Sequence, residues 1–365
     1  MNDLMKPIIN RQCAISEGNF PTISLPKHNK YTLCNLRGGI GKTTLAFNLS
    51  YLGNDVLAID TCPQGNLSFH FDNKYYSNHL PTVRDLVLPY LIPGLGKAGH
   101  IAKYVGATNT AFKDRKTYYI PSSSELYLLP SQLISAINQA GGLTSPQKEE
   151  ALSSILFSLK NEIERELKEI GTSVTKCLID TSPFFAGATQ LAWYASDALI
   201  IPVRTDQQSV KSLELLISTL TAPQSEFRRY LPESLLSIPK IQMVVLTHCG
   251  WSTKEGDRNI PNSQTILYLN KVFEILNSHR SLLSTDDPTN HLFMLDDFLG
   301  SGRIASAESK PLELLMPGQS KVIDRIKVKV NKSVDKCKNQ LQFINQLLWD
   351  ASPISNMPSA IDSHE

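Results

Sequence analysis

The sequence has no long apolar run and nothing that resembles a secretion signal. No stretch approaches the roughly 18 uninterrupted apolar residues of a membrane-spanning helix. The first residues carry no apolar run of signal-peptide length. We therefore expect a cytoplasmic protein with no membrane-inserted segment. The net charge is only +2, so an affinity for nucleic acid would have to come from a local basic patch.

Closely spaced cysteine pairs are absent as well. None of the six cysteines belongs to a C-x-x-C motif, and four of them lie in or beside apolar runs of strand length. This usage favours reduced, mostly buried thiols over a disulfide framework. The positions are Cys13, Cys34, Cys62, Cys177, Cys249 and Cys337.

What the sequence does contain is an alternation of short apolar runs and longer amphipathic ones. Its 365 residues, 41% of them apolar, are enough for a large core. We expect an amino-terminal extension at 1–30, one large domain at 31–350 and a polar tail at 351–365. The stretches 93–123 and 250–264 are predicted to be surface loops because they are rich in turn-forming or polar residues.

The short apolar runs predict parallel strands that are covered on both faces. These strands are expected at 31–36, 55–60, 126–130, 176–180, 197–203 and 241–247. Between them, an apolar stripe predicts a long helix at 146–170, and a second helix is predicted to start at Asp206. Strands that alternate with helices indicate the α/β class, with a doubly wound, mostly parallel sheet and helices on both faces.

Residues 35–45, NLRGGIGKTTL, form a glycine-rich loop between a predicted strand and a predicted helix. The common phosphate-binding loop is G-x-x-x-x-G-K-S/T, but Leu36 stands here in place of its first glycine. Backbone N–H groups at such a junction point at phosphate oxygens, aided by the helix dipole. Lys42 would reach the β- and γ-phosphates and Thr43 would bind Mg²⁺, whereas the alternative is a simple glycine turn. The predicted nucleotide contacts are Arg37, Gly38, Gly39, Ile40, Gly41, Lys42, Thr43 and Thr44.

The pattern K/R-G-G-x-G-K-S/T resembles the deviant Walker A loop of the ParA/MinD family, whose signature is the basic residue before the glycines. Four further segments resemble family motifs in the same order: VLAIDTCPQGNLS at 56–68, CLIDTSP at 177–183, ASDALIIPVRTDQQSVKSLELL at 195–216 and IASAESKPLELL at 304–315. The resemblance extends from about residue 31 to about residue 349. It implies a P-loop NTPase of the deviant Walker A type that binds ATP and Mg²⁺.

The resemblance also implies partners. ATP would close a homodimer that binds DNA without sequence preference, and a ParB-like adaptor protein would stimulate its release. The ATP-bound form would then be nucleoid-associated. Because no helix-turn-helix segment precedes the glycine-rich loop, we expect no binding to a specific operator. The tail does not resemble the amphipathic membrane anchor of the MinD branch.

Asp60 and Asp180 each end an apolar strand at its carboxyl end, where open α/β sheets bind ligands. Beside Thr43 as direct ligand, the two carboxylates would position Mg²⁺ through bound waters. The alternative is that each aspartate caps a helix. By the resemblance, residues 64–65 and 181–187 would be the two segments that sense the γ-phosphate.

Two positions depart from the family pattern. Arg37 stands where the family usually has the lysine that reaches the partner's phosphates, and its rigid fork suits phosphate oxygens. The alternative is that Arg37 contacts its own nucleotide only. Cys62 stands where the family has the aspartate that orients the attacking water, and a thiol with a pKa of ~8.5 is mostly neutral at pH 7. Hydrolysis is therefore expected to be weak. The predicted catalytic residues are Arg37, Lys42, Asp60 and Asp180.

Residues 321–338 carry seven Lys or Arg against two Asp. At helical spacing, apolar residues from Val322 to Leu348 form a core-facing stripe, and basic residues form a second stripe about 100° away. The basic stripe predicts nonspecific contacts to DNA phosphates, and the alternative is an ordinary solvated helix face. The predicted DNA contacts are Lys321, Arg325, Lys329, Lys332 and Lys336.

Two functions fit these features. The first is a ParA-type ATPase with weak hydrolysis that segregates DNA or positions other cargo. The second is a slow or non-hydrolysing ATP-dependent switch, scaffold or regulator in a plasmid- or phage-related system, which the thiol of Cys62 favours. The iron–sulfur reductase branch of the superfamily is set aside, because no close cysteine pair follows 177–183.

Overall fold

A mostly parallel sheet runs through the centre of the protein. The computed structural model describes residues 5–252 and 260–349. Within these ranges the strands of the sheet are β1 (Lys30–Leu33), β2 (Val56–Asp60), β3 (Lys103–Tyr104), β4 (Tyr118–Ile120), β5 (Lys176–Asp180), β6 (Ala198–Arg204), β7 (Lys240–Cys249) and β8 (Leu292–Asp296). Their order is β3-β4-β2-β5-β1-β6-β7-β8, and neighbouring strands are parallel except β3 and β4.

Helices cover both faces of this sheet. Their bounds are α1 (Lys6–Ser16), α2 (Lys42–Leu52), α3 (Asn66–Phe71), α4 (Val83–Leu91), α5 (Leu129–Gly141), α6 (Ser145–Leu156), α7 (Ser158–Ile170), α8 (Ala188–Ala195), α9 (Gln207–Thr221), α10 (Ser263–Ser278), α11 (Leu299–Glu308) and α12 (Val334–Leu348). Leu57 and Ile59 of β2 belong to one core cluster, whereas Val56 and Ala58 belong to the other. Alternate residues of a central strand are therefore buried on opposite faces, and the predicted doubly wound α/β fold is confirmed.

Most of the predicted strands lie where the pattern placed them. Asp206 caps α9, because its carboxylate accepts a bond from the Ser209 N–H. The run at 126–130 is not a strand: it joins a short 3₁₀ turn to α5, with Pro130 in the first turn of that helix. The predicted helix at 146–170 is two helices that break at Phe157.

Three strands of the central sheet were absent from the prediction. Short β3 and β4 lie within 93–123, the stretch expected to be a loop, and β8 forms one edge of the sheet. Of the second predicted loop, 250–264, residues 253–259 lie outside the described residues. The tail at 351–365 lies outside them too. In the described ranges, no helix combines the length and the apolar character needed to cross a membrane.

The extension at 1–30 contains a helix that packs into the domain. Ile8, Ile9 and Ile15 of α1 are buried. Gln12 pairs with the edge strand β8 like a neighbouring strand would: its side-chain amide donates to the Met294 carbonyl at 2.8 Å and accepts from the Met294 N–H at 3.2 Å. The amino-terminal helix therefore covers a strand edge that would otherwise be open.

The basic segment at 321–338 is not a helix over most of its length, so the predicted helical stripe is wrong. It forms a hairpin of antiparallel strands β9 (Ser320–Ile323) and β10 (Ile326–Lys329). Asp324 and Arg325 form its two-residue turn with φ of 48° and 67°, which matches the left-handed turns that suit the twist of a hairpin. The sequence I-K-V-K-V alternates with period two, and this short-range pattern prevails over the helical one.

The core-facing half of that prediction holds only from Val330 onward. Val322 and Ile326, expected in the core, are 66% and 64% exposed on the hairpin. Val330 follows β10 and is buried. The remaining members of the stripe lie on α12 and are buried as well: Val334, Cys337, Leu341, Ile344 and Leu348.

Candidate functional site

The glycine-rich loop joins β1 to α2 at the carboxyl edge of the sheet. Gly39 and Gly41 adopt φ of 69° and 91°, a region that favours glycine. Gly41 immediately precedes α2, so the N–H groups of the first helical turn face the loop. The Lys42 ammonium donates to the carbonyls of Asn35 (3.1 Å) and Arg37 (2.7 Å). The lysine thus closes over the loop at the place where phosphate oxygens would bind.

Two carboxylates lie directly beneath this loop. β2 and β5 are neighbours, and their register pairs Asp60 with Asp180. The Thr43 hydroxyl donates to Asp180 Oδ2 at 2.7 Å. Burial raises the pKa of Asp180, and the nearby Asp60 charge raises it further. Burial also raises the pKa of Asp60. Thr43 therefore contacts Asp180, and Asp60 lies beside Asp180 on the neighbouring strand.

The two aspartates differ in what already holds them. Asp180 Oδ1 is buried and has no hydrogen-bond partner among the described residues. Asp60 is engaged at both oxygens: Oδ1 accepts from the Cys62 N–H at 3.0 Å, and Oδ2 accepts from the N–H and hydroxyl of Ser68, both at 2.8 Å. Ser68 lies in the first turn of α3. Asp180 thus offers an open oxygen ligand, whereas Asp60 also stabilises its own loop and the start of a helix.

This donor set fits Mg²⁺. A hydroxyl oxygen and an unpartnered carboxylate oxygen are hard ligands, and Mg²⁺ commonly takes one or two carboxylates with waters and phosphate oxygens completing its shell. Thr43 and Asp180 would contact the cation directly or through one water. Asp60, with both oxygens already bonded, would act through water.

Cys62 lies next to the carboxylates but cannot replace one. Its side chain is buried, and burial raises its pKa to about 12, with the Asp60 charge acting in the same direction. Its backbone is fixed by the bond to Asp60 and by the Ser122 hydroxyl, which donates to the Cys62 carbonyl. The thiol is therefore protonated at neutral pH, and the position carries no base.

Two tyrosines that the sequence did not identify hold the neighbouring segment 64–65. The Tyr76 hydroxyl donates to the Gln64 carbonyl at 2.8 Å. Gly65 has a φ of 64°, and a Cβ there would lie 1.5 Å from the Tyr75 hydroxyl oxygen. Among the described residues, that buried hydroxyl has no hydrogen-bond partner. No sequence signal pointed to these contacts, because neither tyrosine belongs to a motif.

Arg37 binds the amino-terminal end of α9 of its own chain. Its guanidinium forms an ion pair with Asp206 and donates to the Ser209 hydroxyl at 2.9 Å. Burial opposes ionisation of Asp206, but the Ser209 N–H and Arg37 outweigh it and lower the pKa of that carboxyl. Asp206 was predicted only as a helix start, and its pairing with a residue 169 positions away had no signal in the sequence.

An apolar cavity of about 620 Å³ adjoins the glycine-rich loop. It begins at Gly41 and Thr44, passes the ends of β7 and β8, and is bounded on its far side by α11 and the hairpin. The Thr247 hydroxyl at the end of β7 donates to the Ile40 carbonyl at 3.0 Å, which ties this strand to the loop. Its apolar lining includes Leu45, Phe47, Leu295, Phe298, Ile323, Ile326 and Val328.

The five predicted DNA contacts are not equivalent. Arg325, Lys329 and Lys332 are exposed on or just after the hairpin. Lys321 is exposed and forms an ion pair with Glu308. Lys336 is not exposed with them.

Lys336 lies in the first turn of α12 and is only 14% exposed. Its ammonium lies 3.4 Å from the Asp296 carboxylate and 3.2 Å from the centroid of the Trp251 ring. Burial lowers its pKa despite the neighbouring carboxylate. The prediction that Lys336 belongs to an exposed basic row is therefore wrong, because its charge is used inside the domain.

Comparison with known proteins places these features in a family. A family model described as AAA domain matches residues 29–232, more than half of the chain. The ParA family protein pGP5-D of the Chlamydia muridarum virulence plasmid is 25% identical over 285 residues, which are 72% of this chain and 87% of that protein. The sporulation initiation inhibitor protein Soj of Bacillus subtilis is 24% identical over 196 residues, 53% of this chain.

The chain spans 64% of the length of Soj, and the same share of a further relative. Among solved structures, the ATP complex of a McdA variant from Cyanothece is 19% identical to this chain. It covers 79% of this chain and 90% of its own, with a TM-score of 0.51, which is a likeness of fold. Together with the glycine-rich loop and the paired aspartates, these matches show that the chain belongs to the AAA domain family and is a P-loop protein of the ParA/MinD type.

Proposed function

We propose that this protein is a ParA-like partition or positioning factor that binds ATP with Mg²⁺, dimerises in that state and binds DNA without sequence preference. The observation that carries the proposal is the contact of Thr43 with Asp180, whose second oxygen has no hydrogen-bond partner in the part of the chain that the structure describes. This is the arrangement that a Mg²⁺–nucleotide complex requires. The same function is supported by pGP5-D, a ParA family protein of a virulence plasmid, and by the McdA variant, whose solved structure is an ATP complex.

The binding chemistry follows from the loop. Backbone N–H groups of residues 38–43 would surround the phosphates, and Lys42 would exchange its two carbonyl contacts for β- and γ-phosphate oxygens. Mg²⁺ would neutralise part of the phosphate charge. Thr43 and Asp180 would hold it on the protein side, with Asp60 behind a water.

Hydrolysis should be slow. Groups that orient or deprotonate an attacking water typically contribute ~10²–10⁴-fold, and the protonated thiol of Cys62 supplies no such group. A slow chemical step makes the ATP-bound dimer long-lived. That consequence favours the second candidate function, a slow ATP-dependent switch or scaffold, whenever no partner protein supplies the missing group.

Dimer formation would require Arg37 to move. To reach the phosphates of a second protomer, its guanidinium must leave Asp206 and Ser209. The exposed basic residues Arg325, Lys329 and Lys332 then remain as DNA contacts, with Lys321 in part neutralised by Glu308. An adaptor of the ParB type and association with the nucleoid belong to the same proposal.

Steady-state turnover separates the two functions. Purified protein would be assayed for phosphate release with Mg²⁺ and ATP, alone and with random-sequence duplex DNA, and its dimerisation would be followed by sedimentation. The proposed function requires ATP-dependent dimers that bind DNA, with slow but measurable turnover. Dimers and DNA binding without any turnover would identify the switch, and a protein that stays monomeric with ATP would contradict both.

A further inference from the structure

We propose that the β9–β10 hairpin couples the two ligands of this protein: its inner face contacts the nucleobase of ATP, and its outer face contacts DNA phosphates. The inference rests on the proposed function and deepens it, because it names the element through which one site influences the other. The coupling depends on the two faces of the hairpin, on its attachment to α11, called its root, and on the end around its turn, called its tip.

The inner face of the hairpin lines the apolar cavity that adjoins the glycine-rich loop. Cross-strand pairs of a hairpin share a face, and here Ile323 pairs with Ile326 while Lys321 pairs with Val328. The three apolar members of these pairs line the cavity that begins at the glycine-rich loop. A planar base bound next to the phosphates would therefore contact Ile323, Ile326 and Val328.

The outer face is basic. Val322 pairs with Lys327 and Ser320 with Lys329, and these four residues do not line the cavity among the described residues. Lys327 and Lys329 are exposed and lie about 6.6 Å apart along one strand. A two-stranded ribbon that carries such a row fits a DNA groove and its phosphates.

The root of the hairpin is fixed to α11. A Cβ at Gly300 would lie 2.5 Å from the Lys329 carbonyl oxygen, so this close approach requires glycine. The Ser301 N–H donates to Asn331 Oδ1 at 3.2 Å, and the Asn331 N–H donates to the Ser301 hydroxyl at 3.0 Å. Any movement of the hairpin is therefore concentrated away from this root.

The tip of the hairpin is exposed. Val322 and Ile326 are 66% and 64% exposed, and a solvent-exposed strand pair is weakly held. A base in the cavity would cover Ile326 and Ile323 and gain apolar burial. It would thereby fix the hairpin, and the lysines of the outer face would no longer lose conformational freedom on binding DNA.

The coupling is reciprocal. If ATP raises the affinity for DNA by some factor, then DNA must raise the affinity for ATP by the same factor. A coupling of 1–3 kcal/mol is typical and corresponds to about 5–150-fold. Both affinities can be measured on the full chain, so this equality is itself a check.

Hydrogen exchange of the full chain with and without Mg²⁺–ATP tests the inner face. We expect slower exchange both in the loop at 35–43 and in the hairpin at 320–329, and no change for either in Lys42→Ala. Protection of the loop alone would overturn the inference and leave the proposed function intact. If the loop gains no protection either, ATP binding itself fails, and the inference falls with it.

Variants of the two faces test the coupling. Lys327→Ala with Lys329→Ala should weaken DNA binding and lower the slope of log K against log salt by up to about 1.8, since each phosphate contributes about 0.9. Its ATP affinity without DNA should stay the same. Lys148→Ala with Lys211→Ala, which removes two exposed lysines on α6 and α9, is the matched control and should leave the slope unchanged.

Ile323→Ala with Ile326→Ala should act differently. It should leave DNA binding without nucleotide unchanged but reduce the enhancement that ATP produces. Retention of the full enhancement would show that the hairpin does not transmit nucleotide binding. Loss of DNA binding in the nucleotide-free state as well would mean that these side chains only maintain the hairpin, and would equally overturn the coupling.

Discussion

The phosphate end of the nucleotide region and its apolar end are built in opposite ways. At the ends of β2 and β5, buried carboxylates, a hydroxyl and backbone groups are joined by short hydrogen bonds, as between Thr43 and Asp180. At the ends of β7 and β8, an apolar cavity is closed by a hairpin whose side chains are largely exposed. The first end is already joined by hydrogen bonds in the structure without ligand, whereas in our proposal the second end gains its packing from the bound base.

This difference explains which features the sequence predicted. The phosphate end depends on short motifs and on one rule of topology, namely that the carboxyl ends of parallel strands meet at one edge. The fold brings Thr43 into contact with Asp180 and places Asp60 beside it, and the binding roles assigned to these residues stay predictions. The apolar end depends on elements far apart in sequence, and its hairpin was predicted as a helix because its apolar residues fit both periods over ten residues.

Contacts between residues far apart in the sequence could not be predicted either. The contact of Arg37 with Asp206 spans 169 positions, and neither the residue types nor their spacing predicted it. The same holds for Gln12, whose side chain pairs with strand β8. Both depend on how complete elements pack, which single-sequence patterns do not encode.

The largest effect is expected at the phosphate end. Lys42→Ala removes two charge-assisted hydrogen bonds to phosphate, each worth about 1.5–3 kcal/mol, so ATP affinity should fall about 10²–10⁴-fold. Titration with a fluorescent ATP analogue and Mg²⁺ measures this. Lys211→Ala, an exposed lysine on α9, is the control. An affinity within threefold of wild type would show that the loop does not bind nucleotide in the expected way.

The second effect concerns the missing carboxylate. Cys62→Asp should raise turnover by ~10²-fold without tightening ATP binding, because the new group acts on the water and not on the phosphates. Phosphate release under saturating ATP is the measurement, and Cys62→Ala is the matched control without a charge. Equal turnover of wild type, Cys62→Asp and Cys62→Ala would show that the residue at position 62 does not influence hydrolysis.

A smaller effect is expected for the arginine that bridges toward α9. Arg37→Ala should bind ATP yet stay monomeric. Asp206→Asn keeps a helix-capping side chain but removes the charge that holds Arg37, so its ATP-dependent dimer should be about 3–10-fold tighter, in line with the modest energy of partly exposed ion pairs. Sedimentation velocity with Mg²⁺ and ATP decides the matter. Normal dimerisation of Arg37→Ala would show that Arg37 does not act across the interface of the proposed dimer.

The smallest effect is on stability. Burial raises the pKa of Asp180 and Asp60 in the nucleotide-free fold, so the folded chain holds protons that the unfolded chain releases. The resulting destabilisation is absent below the unfolded pKa of about 4 and grows as pH rises toward the raised folded values. Asp180→Asn should therefore increase the Tm at pH 8, by about 1–2 °C for each kcal/mol in a chain of this length.

The control for this prediction is the same difference in Tm measured at a lower pH. The gain of Asp180→Asn over wild type should shrink as pH falls from 8 to 5.5. Mg²⁺–ATP should stabilise wild type and not the variant. A gain in Tm that does not vary with pH would mean that the buried charge of Asp180 is not the source of the destabilisation.

The packing of α1 and α12 has a consequence for synthesis. The Asn339 side chain donates to the Ser16 carbonyl, and the Tyr31 hydroxyl at the start of β1 donates to the Leu348 carbonyl. One face of the sheet therefore lacks its cover until the ribosome has made α12, some tens of seconds after β1 at ~5–20 residues per second. Until then α2 lies on an unfinished core. A nascent chain should thus acquire its nucleotide site late, and pausing near α12 should expose it to chaperones.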